Sequence, residues 1–202
     1  MRNPIRACLC ILAYVFFLVG CAPGPGTKAP EAAVTDDQVK DDLMVLELVA
    51  GPDADKEELE NSLSRLYDRG CTGIDSVTQL KEDGAWTYLM ITGPDRQTFY
   101  ADMNKHGMFG SVLSQKGMDD ADLIAETIGI NVNRNILYAA EQMELCGCGH
   151  IRSVKGSECK KSSYVITIIN GQNNEFTITL GDDGELGMIR DQDGQPVYEP
   201  FE

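Results

Sequence analysis

The sequence predicts an α+β fold: a strand-helix-strand-strand opening, a helical middle and a C-terminal antiparallel β meander. Three observations carry the prediction. A short apolar run, Leu43 to Val49, is closed by Gly51-Pro52. Apolar residues recur at helical spacing between Pro94 and Leu145. Phe176, Ile178 and Leu180 alternate with Thr177 and Thr179, as in a sheet with one face covered.

Taken in order, Leu43 to Val49 is expected as a central strand, because it is apolar but for Glu47 and ends on turn residues. Asp55 then precedes Glu58 in the manner of a capping box. Leu59, Leu63, Leu66 and Tyr67 follow at helical spacing, and Gly70 stands where a helix stops. Ile74 to Lys81 and Trp86 to Ile91 flank Asp83-Gly84, a hairpin signal. Strand, helix, strand, strand is the opening of a ferredoxin-like layer, an arrangement that licenses no particular activity.

Pro94 is expected to open a helix carrying Phe99 and Met103 on one side. A second helix is expected over Asp119–Ile128, with aspartates in its first turn where the helix dipole favours them. A third runs from Val132 to Leu145, burying Val132, Ile136, Ala139 or Ala140, and Met143. Between the first two, Lys105 to Gly117 holds Lys105, His106 and Lys116 but no acid, and reads as a glycine-punctuated connection or a loop that meets a partner. The C-terminal strands are expected at Tyr164–Ile169, Phe176–Leu180, Glu185–Arg190 and Gln195–Tyr198. The turns Asp182-Asp183-Gly184 and Asp191-Gln192-Asp193-Gly194 are too short to supply the converging oxygens of a calcium loop, so they read as hairpin turns.

Composition bounds the function classes. The chain holds 17 Lys and Arg against 32 Asp and Glu, a formal charge of −15. A field of that sign repels nucleic acid and anionic headgroups, so nucleic-acid binding is excluded as an expectation.

The N-terminus says where the chain works. Arg2 and Arg6 precede an uncharged apolar stretch, Ala7 to Val19, which suits a signal peptide and is short of the ~20 residues a spanning helix needs. Leu18-Val19-Gly20-Cys21 closes that stretch and resembles the lipobox of bacterial lipoprotein precursors. The resemblance implies that residues 1–20 are removed and that Cys21 is acylated, palmitate-like chains holding the protein on a membrane. It implies an outward-facing place in the cell envelope, and Ala22, rather than an acid, after the cysteine points to the outer membrane where there are two. Each buried acyl methylene contributes about 0.8 kcal/mol, so two or three chains anchor firmly. Residues 21–42, rich in Pro and Gly at their start, then form a flexible tether, and residues 43–202 form one α+β domain, with 43–145 its βαββ-plus-helices part and 163–200 its meander. Loss of Arg2 and Arg6 with the leader would bring the charge from −15 to −17.

The segment with most chemical potential is Cys146-Gly147-Cys148-Gly149-His150, followed by Cys159. The loop from Cys146 to Ser163 also carries Arg152, Lys155, Lys160 and Lys161 against Glu158, a basic island on an acidic chain. Outside a membrane cysteines tend to pair, so Cys71, Cys146, Cys148 and Cys159 are expected to form two disulfides. A Cys146–Cys159 bridge would close a loop of roughly 14 residues and stabilise by about 3 kcal/mol, leaving Cys148 to reach Cys71. The alternatives are a metal held by Cys146, Cys148, His150 and Cys159, or a reactive thiol. The spacing matches neither common zinc knuckles, nor haem attachment, nor a thioredoxin-like pair.

Esterase, metalloprotease and phosphate-loop signatures are absent, and no cofactor is expected. The expected function is therefore binding or accessory assembly at the envelope. The partner would be another envelope protein or a small solute, met through Lys105, His106 and Lys116 or through Arg152, Lys155, Lys160 and Lys161. The alternative is a thiol- or metal-dependent envelope enzyme or metal carrier centred on the cysteine-rich loop.

Overall fold

The computed structural model describes residues 34–200. The leader, Cys21 and the start of the expected tether lie outside the described residues. The elements run α1 (Asp36–Ala50), α2 (Lys56–Asp68), β1 (Ser76–Asp83), β2 (Trp86–Thr92), β3 (Thr98–Asn104), β4 (Phe109–Ser114), α3 (Gln115–Ile128), α4 (Arg134–Leu145), β5 (Ile151–Lys160), β6 (Ser163–Asn170), β7 (Glu175–Gly181), β8 (Leu186–Asp191) and β9 (Pro196–Tyr198). The fold is mixed α and β, with two antiparallel sheets ordered β1-β2-β3-β4 and β5-β6-β7-β8-β9.

Alternation places the two cores. Leu89 and Ile91 of β2, Phe99, Ala101 and Met103 of β3, and Phe109 and Val112 of β4 pack with Leu46 of α1 and Leu59, Leu63 and Leu66 of α2. Tyr88 and Leu113, on the opposite face of the same sheet, join a second core with α3, α4 and the inner face of the second sheet. That inner face is Ile166, Ile168, Phe176, Ile178, Leu180, Leu186 and Ile189. The order of layers is therefore α1 and α2, first sheet, α3 and α4, second sheet.

Several expectations change. Leu43 to Val49 is helical, within α1, so the strand-first, ferredoxin-like opening is replaced by two helices. Thr35 caps α1 by accepting from Gln38 N at 3.2 Å, and Asp36 and Asp37 sit in the first turn, so residues expected in the tether belong to a helix. The run is apolar at every position but Glu47 because Met44 and Leu48, between the inward positions, face solvent. Residues after Pro94 form β3 rather than a helix. Phe99 and Met103 fit either period, and Ala101 between them decides for the strand. Lys105 to Gly117 is a tight turn, β4 and the start of α3. Ser114 caps α3 through Gly117 N at 3.1 Å, so the aspartates from 119 on fall beyond the first turn. The expected loop from Cys146 to Ser163 is mostly the ten-residue strand β5. α2, the β1–β2 hairpin, α4 and the strands from Ser163 to Tyr198 lie where the sequence put them, to within a few residues.

The chain repeats one plan, two helices and then a meander. The correspondence reaches individual residues. Buried Leu59, Ser62, Leu63 and Leu66 of α2 match buried Ile136, Ala139, Ala140 and Met143 of α4 in spacing. Each helix ends on a positive-φ glycine, Gly70 or Gly147, followed by a buried cysteine. Cys71 N donates to Leu66 O at 3.3 Å and Cys148 N to Met143 O at 3.0 Å, the long closing bond of a Schellman turn in both cases. A buried aspartate of the preceding helix then accepts from the chain three residues past the cysteine. Asp42 takes Ile74 N at 3.0 Å, and Asp120 takes Ile151 N at 2.7 Å.

Candidate functional site

β4 ends its sheet, and its outward N–H groups would be orphaned without partners. α4 supplies them as carboxylates. Glu141 Oε1 accepts from Val112 N at 3.1 Å, and Glu144 accepts from Ser114 N at 3.5 Å and from Ser114 Oγ. Both side chains are nearly buried, at 5% and 8% exposure, so their charges need partners. These come from α2 and its C-cap. Arg65 Nη2 lies 2.9 Å from Glu141 Oε1, and Arg69 Nη1 lies 3.2 Å from Glu144 Oε2. Arg69 Nη2, buried, stands 3.1 Å from Glu141 Oε1 without the alignment of a hydrogen bond. Arg65 also donates to Phe109 O and, at 3.3 Å, to Gly110 O. Two arginines from the first repeat and two glutamates from the second thus fix the edge of β4.

A cleft of about 600 Å³ opens beside this network, walled by Arg69, Ser114, Lys116, Glu144, His150 and Gln172 among others. Each wall has a local cause. Glu144 lies so close to α3 that a Cβ on Gly117 would fall 2.6 Å from its carboxyl carbon, and only glycine leaves that room. The loop after α4 turns at Gly147 and at His150, whose φ is 62°. Asp120 fastens it by accepting from His150 N at 2.5 Å and Ile151 N at 2.7 Å. Burial raises the Asp120 carboxyl above its ordinary value, against the lowering effect of those two backbone donors. Asn170, buried, ties the far wall by donating to Gly147 O at 3.3 Å and accepting from Gln172 N at 3.0 Å.

The fold therefore gathers two residues that the sequence offered separately. Lys116, from the acid-free segment, and His150, from the cysteine-rich loop, line the same cleft. Among the described residues Lys116 has no carboxylate within ion-pair distance. Lys105 and His106 lie elsewhere, with Lys105 Nζ 3.3 Å from Asp53 and His106 Nδ1 3.1 Å from Asp53 O. Lys155 pairs with Glu175, Lys160 pairs with Glu158 at 3.0 Å, and Arg152 donates to Asn173. Lys161 turns the tight connection from β5 to β6 with φ 57°. Two of the four cations of the basic island, Lys155 and Lys160, are thus paired with carboxylates of their own neighbours. Arg69 and Glu144 were missed by sequence reading, because nothing in a helix pattern marks which charged residues turn inward.

The four cysteines of the described chain are free, and the expected pair of disulfides is not formed. Their positions explain this. Cys71 is buried in the first core and donates to Gly73 O at 2.9 Å, whereas Cys148 is buried in the second. Cys146 caps α4, and Cys159 is exposed at the far end of β5. Burial pushes the Cys148 thiol up to about 12 and raises those of Cys71 and Cys146, which suppresses their thiolates. Nor do Cys146, Cys148, His150 and Cys159 converge, and no group of three candidate ligands is placed to hold a metal ion among the described residues. No described helix is long and apolar enough to cross a membrane. No family model, no curated protein and no solved structure matches the chain.

Proposed function

We propose that the chain is a lipid-anchored binding module of the bacterial cell envelope that takes a small polar solute in the cleft between Lys116 and His150. Cys21 fixes it to the outward-facing side of a membrane, the outer one where there are two, and the acidic body keeps it soluble beside the lipid. The cleft is the observation that carries the binding reading. Its volume of about 600 Å³ suits a small solute, and its walls come from both repeats, so they are held by the packing of the whole unit. Arg69 and Glu144 neutralise each other at 3.2 Å. Lys116, His150 and Gln172 are left to recognise the solute, one through a cation and the others through ring and amide. The solute is accordingly polar and carries an acceptor for Lys116.

The test is a ¹⁵N–¹H titration of residues 22–202 with glucose, glycine betaine, glutamate and inorganic phosphate at millimolar concentrations. At least one probe is expected to shift the amides of Lys116, Gly149, His150 and Gln172 saturably. Lys116→Ala should weaken that probe by roughly tenfold, the loss of one charge-assisted hydrogen bond. Probes that leave all four amides unmoved would contradict the proposal.

A further inference from the structure

α1 and α3 occupy equivalent places in the two repeats, each carrying on its buried stripe the aspartate that holds the next turn, Asp42 or Asp120. Aligned on these aspartates, Leu46 matches Ile124, both buried. The same alignment sets Met44 against Asp122 and Leu48 against Glu126. All four face solvent, Met44 at 67% and Leu48 at 84% exposure. The position thus tolerates a carboxylate in one repeat and carries an apolar side chain in the other. The fold gives no reason for Met44 and Leu48, which stand one helical turn apart on a single ridge. Single exposed apolar residues are ordinary, but a paired ridge beside a groove is the form of an interaction surface.

The ridge borders a shallow groove of about 440 Å³ lined by Met44, Glu47, Leu48, Gly51 and Pro52. Exposed acids frame it, Asp37, Asp41 and Glu47 on α1, while Asp53 beyond the groove is paired with Lys105 at 3.3 Å. Lys40, the one base on this face of α1, is 3.4 Å from Asp37 and offsets only that charge. We propose that this face is a second binding surface, separate from the cleft, and that its occupant is a basic amphipathic helix of a partner protein. Leucine-type residues of the occupant, one turn apart, would straddle Met44 and Leu48, and flanking Lys or Arg would meet Asp41 and Glu47. The acidic frame is what favours such a helix over an anionic bilayer, which it would repel.

The test uses residues 22–202, which keep the whole compact unit, and a fluorescein-labelled fourteen-residue peptide. Its leucines recur at i, i+3, i+4 and i+7 among lysines, and a scrambled peptide of the same composition is the control. Anisotropy at 150 mM salt is expected to show saturable binding of the amphipathic peptide, at least tenfold weaker with the scrambled one. The double variant Met44→Asp, Leu48→Glu imitates α3, so it should keep the wild-type melting temperature and lose at least tenfold in affinity. Equal binding of the two peptides, or undiminished binding to the double variant, would overturn the proposal. So would binding to phosphatidylcholine vesicles that depends on Met44 and Leu48 while the peptide does not bind.

Discussion

Glu141→Ala removes the carboxylate that holds the edge of β4 to both arginines of the first repeat. The cost follows from what is left behind. Val112 N, bonded at 3.1 Å, becomes an orphaned donor next to the core, which costs about 1–3 kcal/mol. Arg69, at 17% exposure, loses its contact at 3.1 Å but keeps Glu144. Arg65, at 39% exposure, is screened by water, so its part counts for about 1 kcal/mol or less. The sum is about 3 kcal/mol, which for a domain of this size lowers Tm by roughly 6–12 °C. Glu141→Gln keeps an acceptor for Val112 N and should cost about 1 kcal/mol. Urea unfolding and calorimetry of the two variants measure the difference directly. A loss below about 1 kcal/mol in Glu141→Ala, or equal losses in the two variants, would refute the view that this carboxylate joins the repeats.

Iodoacetamide at pH 8 should modify Cys159 first and Cys146 slowly, leaving Cys71 and Cys148 untouched until urea unfolds the chain, as read by intact mass. The Cys148 thiol is raised from 9.0 to about 12 in the fold, so the unfolded thiol ionises first. Stability should therefore fall as pH rises from about 9 toward 12, and Cys148→Ala should flatten that fall. Asp42→Asn should cost about 2–4 kcal/mol, because Asp42 accepts from Ile74 N, Gln38 Nε2 at 2.8 Å and Tyr67 Oη at 2.6 Å while buried. For Asp120, raised in the fold, the stability margin of wild type over Asp120→Asn should grow as pH falls through the folded pKa and level off below 3.8. A margin that shrinks on acidification would reverse the assignment.

Much of the fold was legible because its signals are local. Asp55 caps α2 by accepting from Glu57 N and Glu58 N, and Asp83-Gly84 turns β1 into β2. α1 was hidden by its own outward Met44 and Leu48, which turned a helical stripe into a run broken only by Glu47. β3 was hidden by Phe99 and Met103, which fit two periods. The repeat left little trace, since a Leu-Ser-Leu-Leu core in one helix became Ile-Ala-Ala-Met in the other. What persists is the glycine-cysteine turn and the isoleucine three residues later, fixed by backbone geometry rather than by packing volume. Of the cleft, Lys116 and His150 were visible as residue types out of keeping with their surroundings. Their meeting was not, because it depends on α3 and α4 sharing a layer and on an ion pair between distant helices.

The claim on which the proposed place rests is acylation at Cys21. The direct measurement is incorporation of alkyne-tagged palmitate into the full chain expressed in a bacterium, with Cys21→Ser alongside and the membrane fraction assayed for both. Label on the wild-type chain in the membrane fraction, lost together with membrane retention in Cys21→Ser, is the result expected. An unlabelled chain, or label that survives the substitution, would contradict it.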